Sequence, residues 1–586
     1  MDGGNPAKES RGFIRNGKTL LSGVDPVGRA EKIADAVPVT DRTLYLCPSP
    51  LYGYGLERLI ARLESQAPNS ALLCVEADPE LFALSQEHFS PVLKNDQKLR
   101  LTNIIEEGAL CGYVRREWGA RVFRRVETVR LNGGWQLFQS LYDTIAETLR
   151  RETALDWGNA LTLTKLGRLY IRNAIRNLAL IPRHPLIERF FSGNTNGDIP
   201  GDTPVLVLVA GPSLDNFLDT LAGRFGEGLK QPEKRPFKMI CVDTCLPALK
   251  ARDITPDLAV ILESQHWNLG DFTGLSGWNV PAAMDLSTLP RSGSVLSGGL
   301  FLFFTPWTEL KIFERLKAAG LLPVKFPPLG SVGLSAVAVA LRLSRGTIIT
   351  AGLDFSFTLD SYHARSTPGH LYRLRRHNRF TSLLNADSVF TGAARMVSKT
   401  GDPVYSNPAL THYRNLFERE FSAAGGNNRL FDITGGGLPL GLKSLSPSQA
   451  VDILLARPEE RPRPEKRQHS GQPAENAPPI PESTLTEKLK EFVREEQTRL
   501  TLLRDLLTGA VPQNNKTLYM LIDECDYLWA HFPDYAASSR RPVRAELEAG
   551  DTTVISFLKR LRVEIDPFLD LWEILSQSAQ RSQNLI

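Results

Sequence analysis

A chain of 586 residues is too long for a single hydrophobic core, because domains usually hold roughly 100–200 residues. Hydrophobic residues make up 42% and charged residues 23%, which excludes collagen-like, largely disordered and disulfide-scaffold classes. Lys and Arg number 69 against 65 Asp and Glu, a formal +4, which argues against an obligate nucleic-acid coat but leaves room for a local basic patch.

The N-terminal stretch MDGGNPAKESRGFIRNGKTL is polar and lacks an apolar run of signal-peptide length. The six cysteines (Cys47, Cys74, Cys111, Cys241, Cys245, Cys525) are scattered without a C-x-x-C pair, as in a reducing compartment. The most apolar stretch, residues 299–307, is far shorter than the ~18–20 residues that span a bilayer. The expectation is a cytoplasmic chain with no membrane association.

The first elements are buried-strand runs TLYLC (43–47) and ALLCVE (71–76), with a helical pattern over 56–65 between them. This β-α-β unit places a turn carrying Gly53 and Gly55 after the first strand, and Glu76 and Asp78 after the second. A glycine turn and a strand-end acid suit a nucleotide, but Pro48 and Pro50 interrupt the turn. A Rossmann-like domain is expected, with or without a ligand.

From residue 204 the alternation strengthens. VLVLVA (205–210), MICV (239–242), LAVIL (258–262) and TIITA (347–351) read as strands. Helical patterns cover 214–221, 310–319 and 332–343. Alternating β and α calls for a mostly parallel sheet with helices on both faces, and ligands bind at the carboxyl ends of such strands. The residues just after each strand are therefore the candidates.

After the first strand stand Gly211, Pro212, Ser213 and Leu214, a helix-start turn suited to an anion or to a simple serine cap. Asp243 and Thr244 follow the second strand, where an acid can accept bonds from a ribose or base, or cap a helix. Glu263 closes the third strand, followed by Ser264, Gln265 and His266. Gly330, Ser331, Gly333 and Ser335 make a second anion nest at a helix start. Asp354 follows the fourth strand, then Tyr362 and His363. Arg365, Arg373, Arg375, Arg376 and Arg379 interleave with histidines there, as in the wall of an anionic site.

Residues 457–483 carry seven prolines among 27 residues and read as a linker. Beyond it, Leu485, Leu489, Phe492, Leu500, Leu503 and Leu507 recur at helical spacing, and two more helical patterns follow. This small helical unit is either a self-contained bundle or a tethered, swinging docking surface. The expected organisation is an N-terminal Rossmann-like domain with a helical extension (1–182), a catalytic domain (183–456), the linker (457–483) and a helical unit (484–586).

Taken together, VAGPSLD, VDT with ALKARDITPD, GSVGLSAVAVALRL and AGLDFSF with YHA resemble the motility accessory factor family. That family shares a domain with 6-hydroxymethylpterin diphosphokinase-like proteins and is similar to the sialyltransferases of glycosyltransferase family 42. The resemblance covers residues 183–455 firmly and the N-terminal region loosely. It implies transfer of a nonulosonic acid, of pseudaminic or legionaminic type, from a CMP-sugar to Ser/Thr hydroxyls of flagellin. The partners implied are the donor sugar and flagellin, not nucleic acid. It also implies that Gly211, Pro212, Ser213 and Leu214, with Gly330, Ser331, Gly333 and Ser335, hold the donor phosphate, and that Asp243, Thr244 and Glu263 contact the nucleoside side. Asp354, Tyr362 and His363 fall to catalysis. No metal ligand is expected and no cofactor is required, though Mg²⁺ is compatible with the reaction. The sequence departs from the sialyltransferase pattern at Ser356, where those enzymes carry a tyrosine. Two other readings stay open: an ATP-dependent pyrophosphokinase acting on 6-hydroxymethylpterin, with Asp243, Glu263 and Asp354 as metal ligands, and a non-enzymatic flagellar assembly factor.

Overall fold

The structure, a computed structural model, describes residues 13–119, 122–184, 187, 203–383, 392–421, 428–456, 481–509, 515–532 and 552–581. Most of the expected linker, residues 457–480, lies outside the described residues. Contacts part the chain into two compact units. One holds the residues up to Arg168 together with Leu528–Leu561, and the other holds Leu169–Tyr527 together with the residues from Arg562 on.

In the first unit a hairpin of β1 (Phe13–Arg15) and β2 (Lys18–Leu21) precedes four parallel strands. These are β3 (Thr43–Pro48), β4 (Ala71–Val75), β5 (Leu99–Thr102) and β6 (Arg125–Thr128), in the order β5-β4-β3-β6. β3 and β4 are buried along their whole length, which is why they read as continuous apolar runs rather than alternating ones. Helix Leu56–Gln66 returns the chain between them, burying Leu56, Leu59, Ile60 and Leu63 on one stripe. Glu76 is fully buried at the end of β4. It accepts from Ser49 Oγ (2.7 Å), from Tyr142 Oη (3.2 Å) and from the Asp78 N–H (3.2 Å). The strand-end acid that suited a ribose is thus committed to the domain's own hydroxyls.

The second unit is built on an eight-stranded parallel sheet. Its strands are β7 (Val205–Leu208), β8 (Lys238–Val242), β9 (Leu258–Ile261), β10 (Ala282–Asp285), β11 (Leu300–Phe303) and β12 (Ile348–Ala351). After the hairpin β13 (Ala394–Val397) and β14 (Pro403–Ser406) come β15 (Leu430–Ile433) and β16 (Lys443–Leu445). The order is β11-β10-β9-β8-β7-β12-β15-β16. The chain walks outward from β7 to β11, crosses back, and continues on the other side through β12. The α/β doubly wound architecture expected from the sequence is therefore present, with its switch point between β7 and β12. Helix Val332–Leu343 makes the crossover. Its small and branched side chains are buried almost throughout, and Gly333 lies where an added Cβ would meet Val209 and Leu353 at 3.1 Å. Burying side chains such as Leu334 and Val337 contributes roughly 1.5–3 kcal/mol each.

C-terminal helices form as expected, at Glu482–Thr508, Asn515–Glu524 and Thr552–Arg581. The first buries Leu489, Phe492, Val493, Leu500, Leu503 and Leu506, and also Glu496. Glu496 Oε1 accepts from Arg315 Nε (2.7 Å) and Arg499 Nη1 (2.6 Å). Its Oε2 accepts from Arg315 Nη2 (3.1 Å) and Tyr527 Oη (3.3 Å). Arg315 sits on helix Lys311–Ala318 and also donates to Glu524 (2.8 Å), and the Lys311 N–H donates to Asp526 (3.1 Å). A swinging tethered surface is not what forms. The helices around Glu496 are bolted to the sheet domain by buried charge.

Candidate active site

The carboxyl ends of β9, β8, β7, β12 and β15 lie side by side, about 4.8 Å from strand to strand. They carry Glu263, Asp243, the Gly211 turn, Asp354 and a triple-glycine loop, respectively. At the switch point the two central turns touch. The Gly211 N–H donates to Gly352 O (2.8 Å). Ser213 donates twice to the Asp354 carboxylate, through its N–H to Oδ2 (2.7 Å) and its hydroxyl to Oδ1 (2.5 Å). Ser213 makes no side-chain cap.

Glycine at 211 is needed for this approach. A Cβ there would stand 2.4 Å from Gly352 O and 2.5 Å from Asp354 Oδ2. Gly352, at φ +75, leaves even less room: its Cβ would meet Val209 O at 1.9 Å. A side chain at position 211 would therefore disturb the fold itself, since the space is filled by the chain's own backbone.

Behind Asp354 lies a group the sequence did not single out. Lys399 is buried and forms an ion pair with Asp432 at β15; its N–H donates to Gly437 O (2.9 Å). Burial pushes the Asp354 carboxyl above its ordinary value, against the Lys399 charge and the Ser213 bonds, which lower it. Burial likewise raises Asp432 to about 6, opposed by Lys399. Gly437 packs where a Cβ would meet Asp354 Cα at 2.6 Å, and Gly435 where one would meet Ser213 Cβ at 2.9 Å. The glycine-run TGGG after a strand was a legible signal for this loop; nothing in the pattern marked Lys399.

At the next strand, Asp243 is buried beneath Asn268. Asn268 Nδ2 donates to Asp243 Oδ2 (2.7 Å), and the Thr244 N–H donates to Oδ1 (2.9 Å). Thr244 Oγ1 donates to Asp271 (3.3 Å), and Ser292 Oγ donates to Asn268 Oδ1 (2.8 Å). Burial, then the Asp271 charge, raises Asp243 to about 7; burial raises Asp271 to about 6. Glu263 is exposed, its Oε1 accepting the Gln265 N–H (2.9 Å). Burial and the Glu263 charge raise the phenols of Tyr170, to about 12, and Tyr413. Tyr413 in turn stands 3.4 Å from where a Cβ on Gly330 would be. Tyr170 and Tyr413 reach this edge from distant helices and were not found in the sequence.

The segment expected to form a second anion nest is a helix start in which Ser331 makes no side-chain cap and Ser335 Oγ is buried without a hydrogen-bond partner among the described residues. Tyr362 stacks on Phe357 (4.5 Å), and its hydroxyl accepts from Asn407 (3.3 Å). The Ala364 N–H donates to Ala210 O (2.9 Å), which holds the Tyr362–His363 segment against the end of β7. Burial, then the Arg373 charge, lowers His363 to about 4, so its imidazole is neutral at physiological pH. A cavity of about 80 Å³ lies between Tyr362, His363, Gly369, His370 and Arg373. Arg365, by contrast, is spent on Asp215 and Asp219 (3.4 and 3.1 Å).

As a set, Asp243, Glu263 and Asp354 do not fit a metal. Each belongs to a separate hydrogen-bonded group, and no cluster of three or more His, Cys, Asp or Glu suited to a cation occurs among the described residues. Nor is any helix among the described residues long and apolar enough to cross a membrane.

Residues 172–360 match the family model described as 6-hydroxymethylpterin diphosphokinase MptE-like. An uncharacterized protein of Treponema pallidum (strain Nichols) is 29% identical over 549 residues, covering 92% of this chain and 90% of that protein. The solved structure of the MAf glycosyltransferase from Magnetospirillum magneticum AMB-1 is similar with a TM-score of 0.51 at 15% identity, over 97% of this chain and 88% of that one. The resemblance drawn from the sequence motifs is borne out: residues 172–360 match the MptE-like family model, and the chain has the fold of the MAf glycosyltransferase.

Proposed function

We propose that this chain is a glycosyltransferase that moves a nonulosonic acid from a CMP-sugar to Ser/Thr hydroxyls of a flagellin in the cytoplasm. The observation that carries the reading is the Ser213–Asp354 pairing at the switch point of a sheet with the fold of the MAf glycosyltransferase. In such sheets the ligand crevice opens where the strand order reverses.

In the reaction the anomeric C–O bond to phosphate breaks and its electron pair leaves with the cytidine phosphate. The acceptor oxygen bonds to the anomeric carbon, and its proton passes to a base. Growing charge on the leaving phosphate is answered by the Ser213 hydroxyl, by donors at the helix start Gly330–Ser335 and by the Tyr362 hydroxyl. With Asp354 ionised, Ser213 spends its only hydrogen on that carboxylate. Burial favours the protonated carboxyl. In that state Asp354 donates to Ser213 Oγ, and the serine hydrogen is released toward a phosphate. His363, neutral beside Arg373, is available to take the acceptor proton. Asp243, Thr244 and Glu263 lie along the same edge for the nucleoside.

The intact mass of flagellin from cells with and without the gene tests the reading. A loss of nonulosonic acid mass in the deletion, restored by the wild-type gene, supports it; identical flagellin masses overturn it. The pterin pyrophosphokinase reading gains the description of the domain family but needs a cation site that the three carboxylates do not assemble.

A further inference from the structure

Residues 361–383 hold five arginines and three histidines without one Asp or Glu, in a chain whose formal charge is only +4. Only Arg365 of the five meets a carboxylate among the described residues. Helix Pro368–Arg376 buries none of its side chains fully. Its Gly369, His370, Arg373 and Leu374 line the cavity beside Tyr362 and His363, while Tyr372, Arg375 and Arg376 stand on exposed positions one turn round. Arg376 lies over the Tyr372 ring (5.2 Å) and Arg379 over Phe380 (4.6 Å), with those rings 58% and 84% exposed.

The helix macrodipole accounts for cations in the last turn. It does not account for Arg379 beyond the helix, nor for two large rings left in water under guanidinium groups. Aromatic and arginine side chains exposed together are the composition of interface cores. Unpaired like charges repel one another until an anion answers them.

We propose that the outer face of helix Pro368–Arg376, continued through Arg379 and Phe380, docks an acidic segment of the polypeptide acceptor, a partner that rests on the transfer reading above. The dimensions suit a short peptide. Nine helical residues span about 13 Å, the length of about four extended residues. A nucleic acid would call for a longer field of phosphate contacts than this strip offers. A small anion belongs in the adjacent cavity rather than on its outer wall.

Fluorescence anisotropy on the full chain tests this with a fluorescein-labelled Glu/Tyr-rich peptide of roughly a dozen residues, its Gln/Tyr counterpart, and a single-stranded oligonucleotide of equal charge. The acidic peptide should bind about tenfold or more tighter than the neutral one and weaken with added salt. The combined change Arg375→Glu, Arg376→Glu, Arg379→Glu should remove that advantage, and the three Arg→Gln changes, which do not oppose the macrodipole, should reduce it. Equal binding of acidic and neutral peptides, equal binding by wild type and both variants, or tighter binding of the oligonucleotide would each overturn the proposal. CMP calorimetry on the same proteins separates the two readings. Charge-dependent peptide binding without CMP binding upholds the docking surface and removes the donor; CMP binding with charge-blind peptide binding does the reverse.

Discussion

Glu496 offers a quantitative test of how the C-terminal helices are held. Its carboxylate is fully buried and receives two bonds from Arg315, one from Arg499 and one from Tyr527. Replacing it with alanine leaves the Arg315 guanidinium, itself only 15% exposed, with Glu524 as its remaining carboxylate. Breaking one side of a buried pair costs roughly 3–5 kcal/mol, because the remaining charge stays desolvated. Glu496→Gln keeps shape and some bonds and should cost less, while Glu496→Leu, with no carbonyl to accept from Arg315 or Tyr527, should cost as much as alanine. Hydrogen exchange is the suitable assay, since it reads helix Glu482–Thr508 separately from the sheet. Amides around Phe492, Val493 and Leu500 should lose protection by that amount, whereas β7 and β12 should change little unless the helix and sheet open together. Protection in Glu496→Ala within about 1 kcal/mol of wild type would refute the docking argument. For the same reason, truncation after Ala456 takes away both carboxylates that Arg315 pairs with, Glu496 and Glu524, and should destabilise the sheet domain rather than release an independent module.

Other outcomes follow from the strand ends. Gly211→Ala should destabilise by roughly 1–3 kcal/mol or more through overpacking against Gly352 O, whereas Ser213→Ala should keep the fold and weaken CMP binding in calorimetry; equal CMP affinity in Ser213→Ala would remove the serine from the site. Asp243 binds a proton more tightly when folded, at about 7 against an ordinary 3.8, so its contribution is present in full below pH ~4 and is lost as pH rises through 7. Urea titrations should therefore show Asp243→Asn flattening that fall by a few kcal/mol, and an unchanged pH profile would count against a titrating Asp243. Asp354→Asn keeps an acceptor for the Ser213 N–H and a donor for its hydroxyl, so it should retain CMP binding and remove any decline at higher pH; loss of CMP binding at every pH would argue that the ionised carboxylate is needed. Glycosyl transfer should persist in EDTA, and activity lost on chelation and restored by Mg²⁺ would return weight to the pyrophosphokinase reading.

Much of this molecule was legible because buried parallel strands write themselves as apolar runs. TLYLC, ALLCVE, VLVLVA, LAVIL and TIITA became β3, β4, β7, β9 and β12 within a residue or two, and the helix over 332–343 has the bounds its pattern suggested. The order of strand-end residues then followed from the general rule that a parallel sheet presents its carboxyl edge to ligands. What the amino-acid order could not carry was the meeting of distant turns. Ser213 and Asp354 are 141 residues apart, and each alone reads as an ordinary cap or loop acid; only the reversal of strand order between β7 and β12 makes them hydrogen-bonded neighbours. Lys399, Asn268 and Asp271 had no periodic signature, because polar side chains between strands and α-helices obey no repeat, and Asp432 is a lone acid inside the short strand β15. Glu496 interrupts an apolar stripe, and nothing along the chain names Arg315 as its partner, 181 residues away. Local composition determined which segments become strands and helices, since burial is a property of the segment. Which buried charges are satisfied, and by whom, was decided by the tertiary structure, because a desolvated carboxylate is stable only where donors from other elements converge on it.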